Sequence, residues 1–349
     1  MMSQNLEPTS DFVPGMVSTI IPVYNRKRLL VEAAESVLSQ CYQSIELIIV
    51  DDGSRDRSYQ TAKQLQSRFP ELIKVLRQAN RGVGVAREHG RRYARGEFIQ
   101  YLDSDDLLVA NKFRDSVQLM RDRPELGAVY GWIKLRQADG SELDHPYKCS
   151  GVERASLFPW LLSDRWWNTN APLWRRSVCD QIGPWSSLRW SQDWEYDARA
   201  ASRGVQLGYL PQYVTIQRQH NGRRQSAASR WTSRQRIDNR VQFFEALWEH
   251  AQVGQISEDN SHRQHFARWA FATARSAAFA GHGLAAARLM RVAYGAAGKQ
   301  ARVARGFELF DRTRRMLGNR MAGRIWKLAG KVKPVGRFTL QESFTNGVQ

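Results

Sequence analysis

Short apolar runs and helical repeats take turns along the first hundred positions of the chain. Residues 17–23, VSTIIPV, form a β-branched run of the kind that predicts a buried strand. The next segment, RKRLLVEAAESVLSQ, places Leu30, Ala33, Ala34, Val37 and Leu38 at helical spacing, with Asn25 before it as a candidate cap. IELIIV at 45–50 predicts a second strand and SYQTAKQLQSRF a helix. IKVLRQ predicts a strand, GVAREHGRRYA a helix, and EFIQYLD a strand that runs into further acids. Strand–helix alternation in this rhythm predicts βαβ units, hence an α/β fold with a mainly parallel sheet and helices on both faces.

From about 106 to 235 the pattern is mixed. A helix is predicted for NKFRDSVQLMRD and strands for GAVYGWIKL and VQLGYLPQYVTIQ, with Trp-rich loops between them. Beyond about 235 the periodicity is helical throughout. An Ala-rich hairpin breaks at Gly281-His282-Gly283, and a last helix sets Phe310, Leu317, Met321, Ile325 and Leu328 on one face. The expected organisation is a flexible N-terminus (1–16), an α/β domain (17–235, with halves 17–106 and 107–235) and a helical, basic C-terminal region (236–349).

Composition narrows this picture. At 349 residues, 42% hydrophobic and 11% aromatic, the chain can bury a substantial core, which argues against general disorder. Its formal net charge of +18 favours an anionic partner: nucleic acid, an acidic membrane or a phosphate-bearing substrate. The excess lies beyond about residue 200, whereas the clustered acids lie mostly before it. Cys41, Cys149 and Cys179 are too widely spaced for a zinc knuckle or a disulfide framework. No uninterrupted apolar run is long enough to span a bilayer, and the N-terminus lacks a signal pattern. A cytoplasmic protein, peripheral on the inner face of the membrane, is expected.

Candidate chemistry sits where strands end. Asp51 and Asp52 follow one predicted strand, Asp103, Asp105 and Asp106 another, and Asp193 and Glu195 in WSQDWEYD are expected at the end of a third. Ligands of parallel α/β sheets bind beyond the carboxyl ends of the strands, so these acids would share a cleft. As isolated motifs, Asp-Gly-Ser and Asp-Ser-Asp-Asp are equally at home as turn and cap residues, and Asp106 suits the cap of the helix that follows.

Taken together, VSTIIPVYNRKRLLVEAAESVLSQCYQSIELIIVDDGSRDRS, NRGVGVAREHG and GEFIQYLDSDD resemble the family 2 inverting glycosyltransferases. The likeness continues more loosely through RRSVCDQIGPW and WSQDWEYDARAA to RQHNGRRQS. It implies the GT-A fold, a Rossmann-like nucleotide-sugar domain. Pro22, Tyr24 and Asn25 would open the nucleotide-binding loop, with Asp52 hydrogen-bonding the base. Arg87 would pair with the diphosphate. Asp103-Ser104-Asp105 resembles the DxD motif: Asp103 and Ser104 would face the nucleotide, and Asp105 would ligate a divalent cation, Mn²⁺ or Mg²⁺. Asp193 aligns with the general base. The acid that commonly precedes it is Gln192 here, and Glu195 is a competing base. His220 resembles a downstream His that approaches the metal or diphosphate.

Two other motifs carry less. Gly82-x-Gly84 has no third glycine where a dinucleotide fingerprint needs it. QSAASRW (225–231) resembles the Gln-x-x-Arg-Trp motif of processive synthases with the wrong spacing, so one sugar per encounter is expected. Trp166, Trp167 and Glu195 are the acceptor-side candidates, with core packing as the alternative for the tryptophans. The basic C-terminal helices suit an anionic membrane surface, or else a solvated or dimer-forming face.

The expected activity is transfer from a nucleotide-diphospho-sugar, a UDP-sugar foremost. The acceptor would be a hydroxyl of a glycan or lipid-linked molecule in cell-surface or extracellular polysaccharide assembly. A nucleic-acid-binding protein and a sugar nucleotidyltransferase are the alternatives. No nucleic-acid partner is expected, because no helix-turn-helix, zinc or RNA-binding motif accompanies the charge.

Overall fold

The structure, a computed structural model, describes residues 12–219, 234–299 and 301–328, with side chains described for all of these except 301–305 and 326–328. The first elements are β1 (Val13–Val23), α1 (Lys27–Leu38), β2 (Ile45–Asp51), α2 (Ser58–Arg68), β3 (Ile73–Arg77), α3 (Val83–Arg91) and β4 (Gly96–Tyr101). There follow β5 (Leu107–Leu108), α4 (Lys112–Asp122), β6 (Leu126–Arg136), β7 (Leu173–Arg175), α5 (Arg176–Ile182), α6 (Gln192–Ser202) and β8 (Gln206–Arg218). All eight strands form one sheet in the order β3-β2-β1-β4-β7-β6-β8-β5. Strands β1–β4, β6 and β8 run one way, and β7 and β5 run against them.

Period-2 alternation explains how the sheet is covered on two faces. Val17, Ile21 and Val23 of β1 and Leu47 and Ile49 of β2 point one way. They bury against Leu30, Ala33, Ala34 and Val37 of α1, Ala62 and Leu65 of α2, and Phe113, Val117 and Met120 of α4. Ile20 and Val50 point the other way, toward α3. There Gly90 permits the approach, since a Cβ on it would lie 2.5 Å from Ile20 and 3.1 Å from Val50. Replacing Gly90 would push α3 off the sheet.

Two details near the start of the chain differ from the sequence expectation. Residues 13–16, expected to be flexible, already belong to β1, whose pairing with β4 shifts register between Val13 and Val17. Asn25 does not cap α1. It takes a left-handed φ of 54° and accepts from the Arg55 and Asp56 amides at 2.8 and 3.3 Å.

The chain divides into two compact units. Among the described residues the first comprises 12–156, 166–196 and 205–219; the second comprises 157–165, 197–204, 234–299 and 301–328. The second unit is helical: α7 (Arg234–Val253), α8 (Ser261–Phe279), α9 (Gly283–Ala297), α10 (Ala301–Leu317) and α11 (Asn319–Leu328). The turn expected at 281–283 separates α8 from α9, and Asn260 caps α8 by accepting from the His262 and Arg263 amides. Phe243, Phe244, Phe266 and Trp269 meet edge to face and tilted, with the Arg240 guanidinium over three of the rings. The single terminal helix expected over 310–328 is two helices, broken at Gly318, whose φ is +79°. Among the described residues no helix is long and apolar enough to cross a membrane.

His265 gives this unit a pH dependence. Burial, then the nearby Arg268 and His262, lower its pKa to about 4 from 6.5. The unfolded imidazole takes up a proton below 6.5 while the folded one resists until about 4. The folded state therefore keeps its full stability above 6.5 and loses it as pH falls. Between about pH 7 and pH 5 the loss is expected to be about 2 kcal/mol. Urea titrations at the two pH values measure it, and the loss should shrink in His265→Gln.

Candidate functional site

The strand register brings the loops after β1, β2 and β4 to one edge of the sheet. Val23 lies opposite Asp51, Asp51 opposite Arg77, and Ile20 opposite Tyr101. The residues just beyond those positions therefore converge: 24–26, 52–58 and 102–106. Pro22 is buried near the end of β1, Tyr24 is half-buried and Asn25 is exposed in the loop that follows.

Asp52 is buried and its carboxylate is already well used. Oδ1 accepts from Gln78 Nε2 at 2.8 Å and the Arg81 amide at 2.9 Å, and Oδ2 accepts from the Gly82 amide at 2.9 Å. It thereby holds the loop leading into α3, the helix that carries Arg87.

Arg87 is 2% exposed. Its guanidinium lies 4.6 Å over the Trp185 ring, and Nη2 donates to Asp103 Oδ1 at 2.5 Å. The other two nitrogens, Nε and Nη1, are buried with no protein partner among the described residues. A buried guanidinium left with unused donors is costly unless a further acceptor arrives.

The three acids of the DSDD turn have distinct surroundings. Asp103 keeps about a third of its side chain open to solvent. Its pKa is raised by desolvation; Arg87 pulls it down, and the Asp105 and Asp193 carboxylates push it up. This effect places Asp193, from a distant part of the chain, within the same electrostatic cluster. Asp105 is 26% exposed and faces Arg26 Nη2 at 3.7 Å. Asp106 does not cap a helix. It is buried, accepts from the Arg218 amide at 2.8 Å and from Asn170 Nδ2 at 2.6 Å, and its pKa is pushed well up by desolvation and then by Asp105 and Asp103. Ser104 is buried between them.

Asp193 and Glu195, expected at a strand end, instead lie in α6, and Asp193 stands in its first turn, where the helix N-terminus favours negative charge. Its Oδ2 accepts from Thr169 Oγ1 at 3.4 Å. Gln192 is buried beside Gly84 at the start of α3, and its Oε1 has no partner among the described residues. Glu195 is buried. Trp166 and Trp167 are fully enclosed, packing against each other and against Tyr130. This corrects their expected acceptor role, because neither ring face is open to a sugar. His220 lies outside the described residues.

One residue that holds this geometry escaped sequence reasoning. Asn170 is fully buried, and both side-chain polar atoms and the backbone oxygen are used. Oδ1 accepts from the Asp103 amide at 2.7 Å and Nδ2 donates to Asp106. Its backbone oxygen accepts from Gln100 Nε2 at 3.0 Å and from the buried amine of Lys112. The signal available was slight: three polar residues, Asn168-Thr169-Asn170, between a tryptophan pair and a strand.

Among the described residues no three His, Cys, Asp or Glu side chains form a metal site by themselves. Asp103 and Asp105 do fit a hard cation that takes its remaining ligands from phosphate and water. They are oxygen donors and both are partly open to solvent.

An eight-stranded α/β sheet of this order, with acidic loops at its carboxyl edge, is a GT-A fold. The same fold is seen in S. aureus TarS (residues 1–349, in complex with UDP-GlcNAc), which matches with a TM-score of 0.62 over 90% of this chain and 92% of that one at 16% identity. Residues 18–182, just under half of the chain, match the glycosyl transferase family 2 model. An uncharacterised glycosyltransferase of Nostoc sp. is 40% identical over 114 residues, 33% of this chain and 35% of the relative. The glycosyltransferase GlyG of Streptococcus pneumoniae is 32% identical over 127 residues, 36% of this chain and 42% of the relative. The matched segments thus span well under half the length of these curated relatives.

Proposed function

We propose that the chain is an inverting glycosyltransferase that moves one sugar from a nucleotide-diphospho-sugar to a hydroxyl of a glycan or lipid-linked acceptor. It would act at the cytoplasmic face of the membrane in cell-surface polysaccharide assembly. The observation that carries the reading is the junction of Asp103, Asp105 and Asp193 beside Arg87, whose Nε and Nη1 await an acceptor. A UDP-sugar is the favoured donor, and the TarS fold holds UDP-GlcNAc.

In this reading Asp193 takes the proton of the attacking hydroxyl. Arg87, and Arg26 beside Asp105, meet the negative charge that grows on the departing diphosphate. Asp52 Oδ2 has acceptor capacity left for a base N–H, since a carboxylate offers about four acceptor sites. Asp105, with Asp103, would hold Mn²⁺ or Mg²⁺, and the bound cation would neutralise the leaving diphosphate. A single displacement inverts the anomeric centre.

Thermal shift with UDP-, GDP- and dTDP-sugars, each with and without Mn²⁺, tests the proposal. Near saturation a UDP-sugar with Mn²⁺ is expected to raise the midpoint by about 5 °C. Asp105→Ala should remove the metal-dependent part. The reading fails if no nucleotide sugar shifts the midpoint.

A further inference from the structure

The terminal helices leave an apolar surface in a strongly basic setting. Phe279, Leu284, Met316, Leu317, Met321 and Ile325 are between 40% and 86% exposed. They belong to one part of the helical unit, because α11 packs on the α8–α9 turn. A Cβ on Gly323 would fall 2.5 Å from the Phe279 backbone, and Gly281 and Gly283 lie against the side chains of Arg320 and Asn319. The sequence pattern had put Phe310 on one face with Leu317, Met321, Ile325 and Leu328. In the structure Phe310 is buried and the hairpin turn supplies Phe279 and Leu284.

Charge selects what covers the surface. Residues 279–328 contain eleven Lys and Arg against two acids, Glu308 and Asp311. Asp311 is already paired with Arg314 and Arg315 at 2.6 and 2.7 Å. Arg320 and Arg324 stand exposed among the apolar residues. Two copies of so basic a face would repel each other, whereas an anionic leaflet accepts both the guanidinium groups and the apolar side chains.

We propose that the α8–α9 turn, the end of α10 and α11 together form a docking surface for an anionic lipid bilayer. The apolar side chains enter the headgroup–acyl boundary and the arginines meet lipid phosphate. This surface binds independently of the proposed sugar transfer.

Co-sedimentation of the full chain with vesicles tests this without measuring catalysis. Binding to phosphatidylcholine containing phosphatidylglycerol is expected to be at least about tenfold tighter than to phosphatidylcholine alone, and to weaken in about 0.5 M NaCl. The triple variant Met316→Glu/Met321→Glu/Ile325→Glu should lose vesicle binding with its thermal midpoint unchanged, since all three positions are exposed. Arg320→Ser/Arg324→Ser should lose the preference for the anionic lipid. Equal binding to both vesicles, or a triple variant that binds like the parent, would overturn the proposal. So would a parent dimer that the triple variant converts to monomer with no change in lipid binding, which would make this face an interface between copies.

Discussion

Asp193→Asn is expected to lower the rate of sugar transfer about a thousandfold while donor affinity stays within about threefold. The substitution keeps the size of the side chain and an oxygen for the Thr169 hydroxyl, so the start of α6 should keep its form. What it removes is the group that can take a proton from an attacking hydroxyl. Glu195→Gln is the comparator, because Glu195 is buried within α6 whereas Asp193 is half-buried in the cluster with Asp103. Initial rates with saturating donor, alongside donor binding by calorimetry, separate the two. If Asp193→Asn keeps a tenth or more of the rate, the base lies elsewhere.

Asn170→Ala is expected to cost about 2–3 kcal/mol of stability and to weaken donor binding at least about tenfold. The alanine keeps the backbone oxygen that receives Gln100 and Lys112, so those bonds survive. The side-chain bonds do not. The Asp103 amide loses its acceptor and the buried Asp106 carboxyl loses a donor, so the turn carrying Asp103 and Asp105 is no longer clamped from below. Denaturant unfolding measures the first effect and donor titration with Mn²⁺ the second. A stability loss under about 0.5 kcal/mol would show that water or a neighbour replaces the amide, and the clamp would then not be what shapes the turn.

Much of the first unit was legible because its elements are local. The strands over 17–23, 45–50 and 73–78, and the helices between them, differ from β1 to β3 and α1 to α3 by a residue or a few at their ends. Strand-end acids could be picked out for the same reason, since the strand-forming segments IELIIV and EFIQYL run straight into Asp51 and Asp103. Between β6 and β7 no such signal exists. That stretch has no period of 2 or 3.6, so nothing distinguishes an interior tryptophan from an exposed one. Trp166 and Trp167 were open to an acceptor role until burial settled them in the core, and Asn170 was invisible there. The end of the chain shows a different limit. Phe310 and Leu317 share a helical stripe in sequence, yet the break at Gly318 and packing on α8 bury the first and leave the second more than half exposed.

Periodicity and strand-end acids determined by themselves the α/β fold and which carboxylates belong to the sheet's carboxyl edge, because both signals are written in neighbouring residues. The sheet topology decided the rest. It brought Asp193 close enough to Asp103 to act on its charge, set Arg87 on Trp185 against Asp103, and used Asn170 to fix the turn. It also separated Asp105, partly open, from Asp106, sealed between Asn170 and Arg218. Those differences arise from burial and from partners many residues away, which no local pattern encodes.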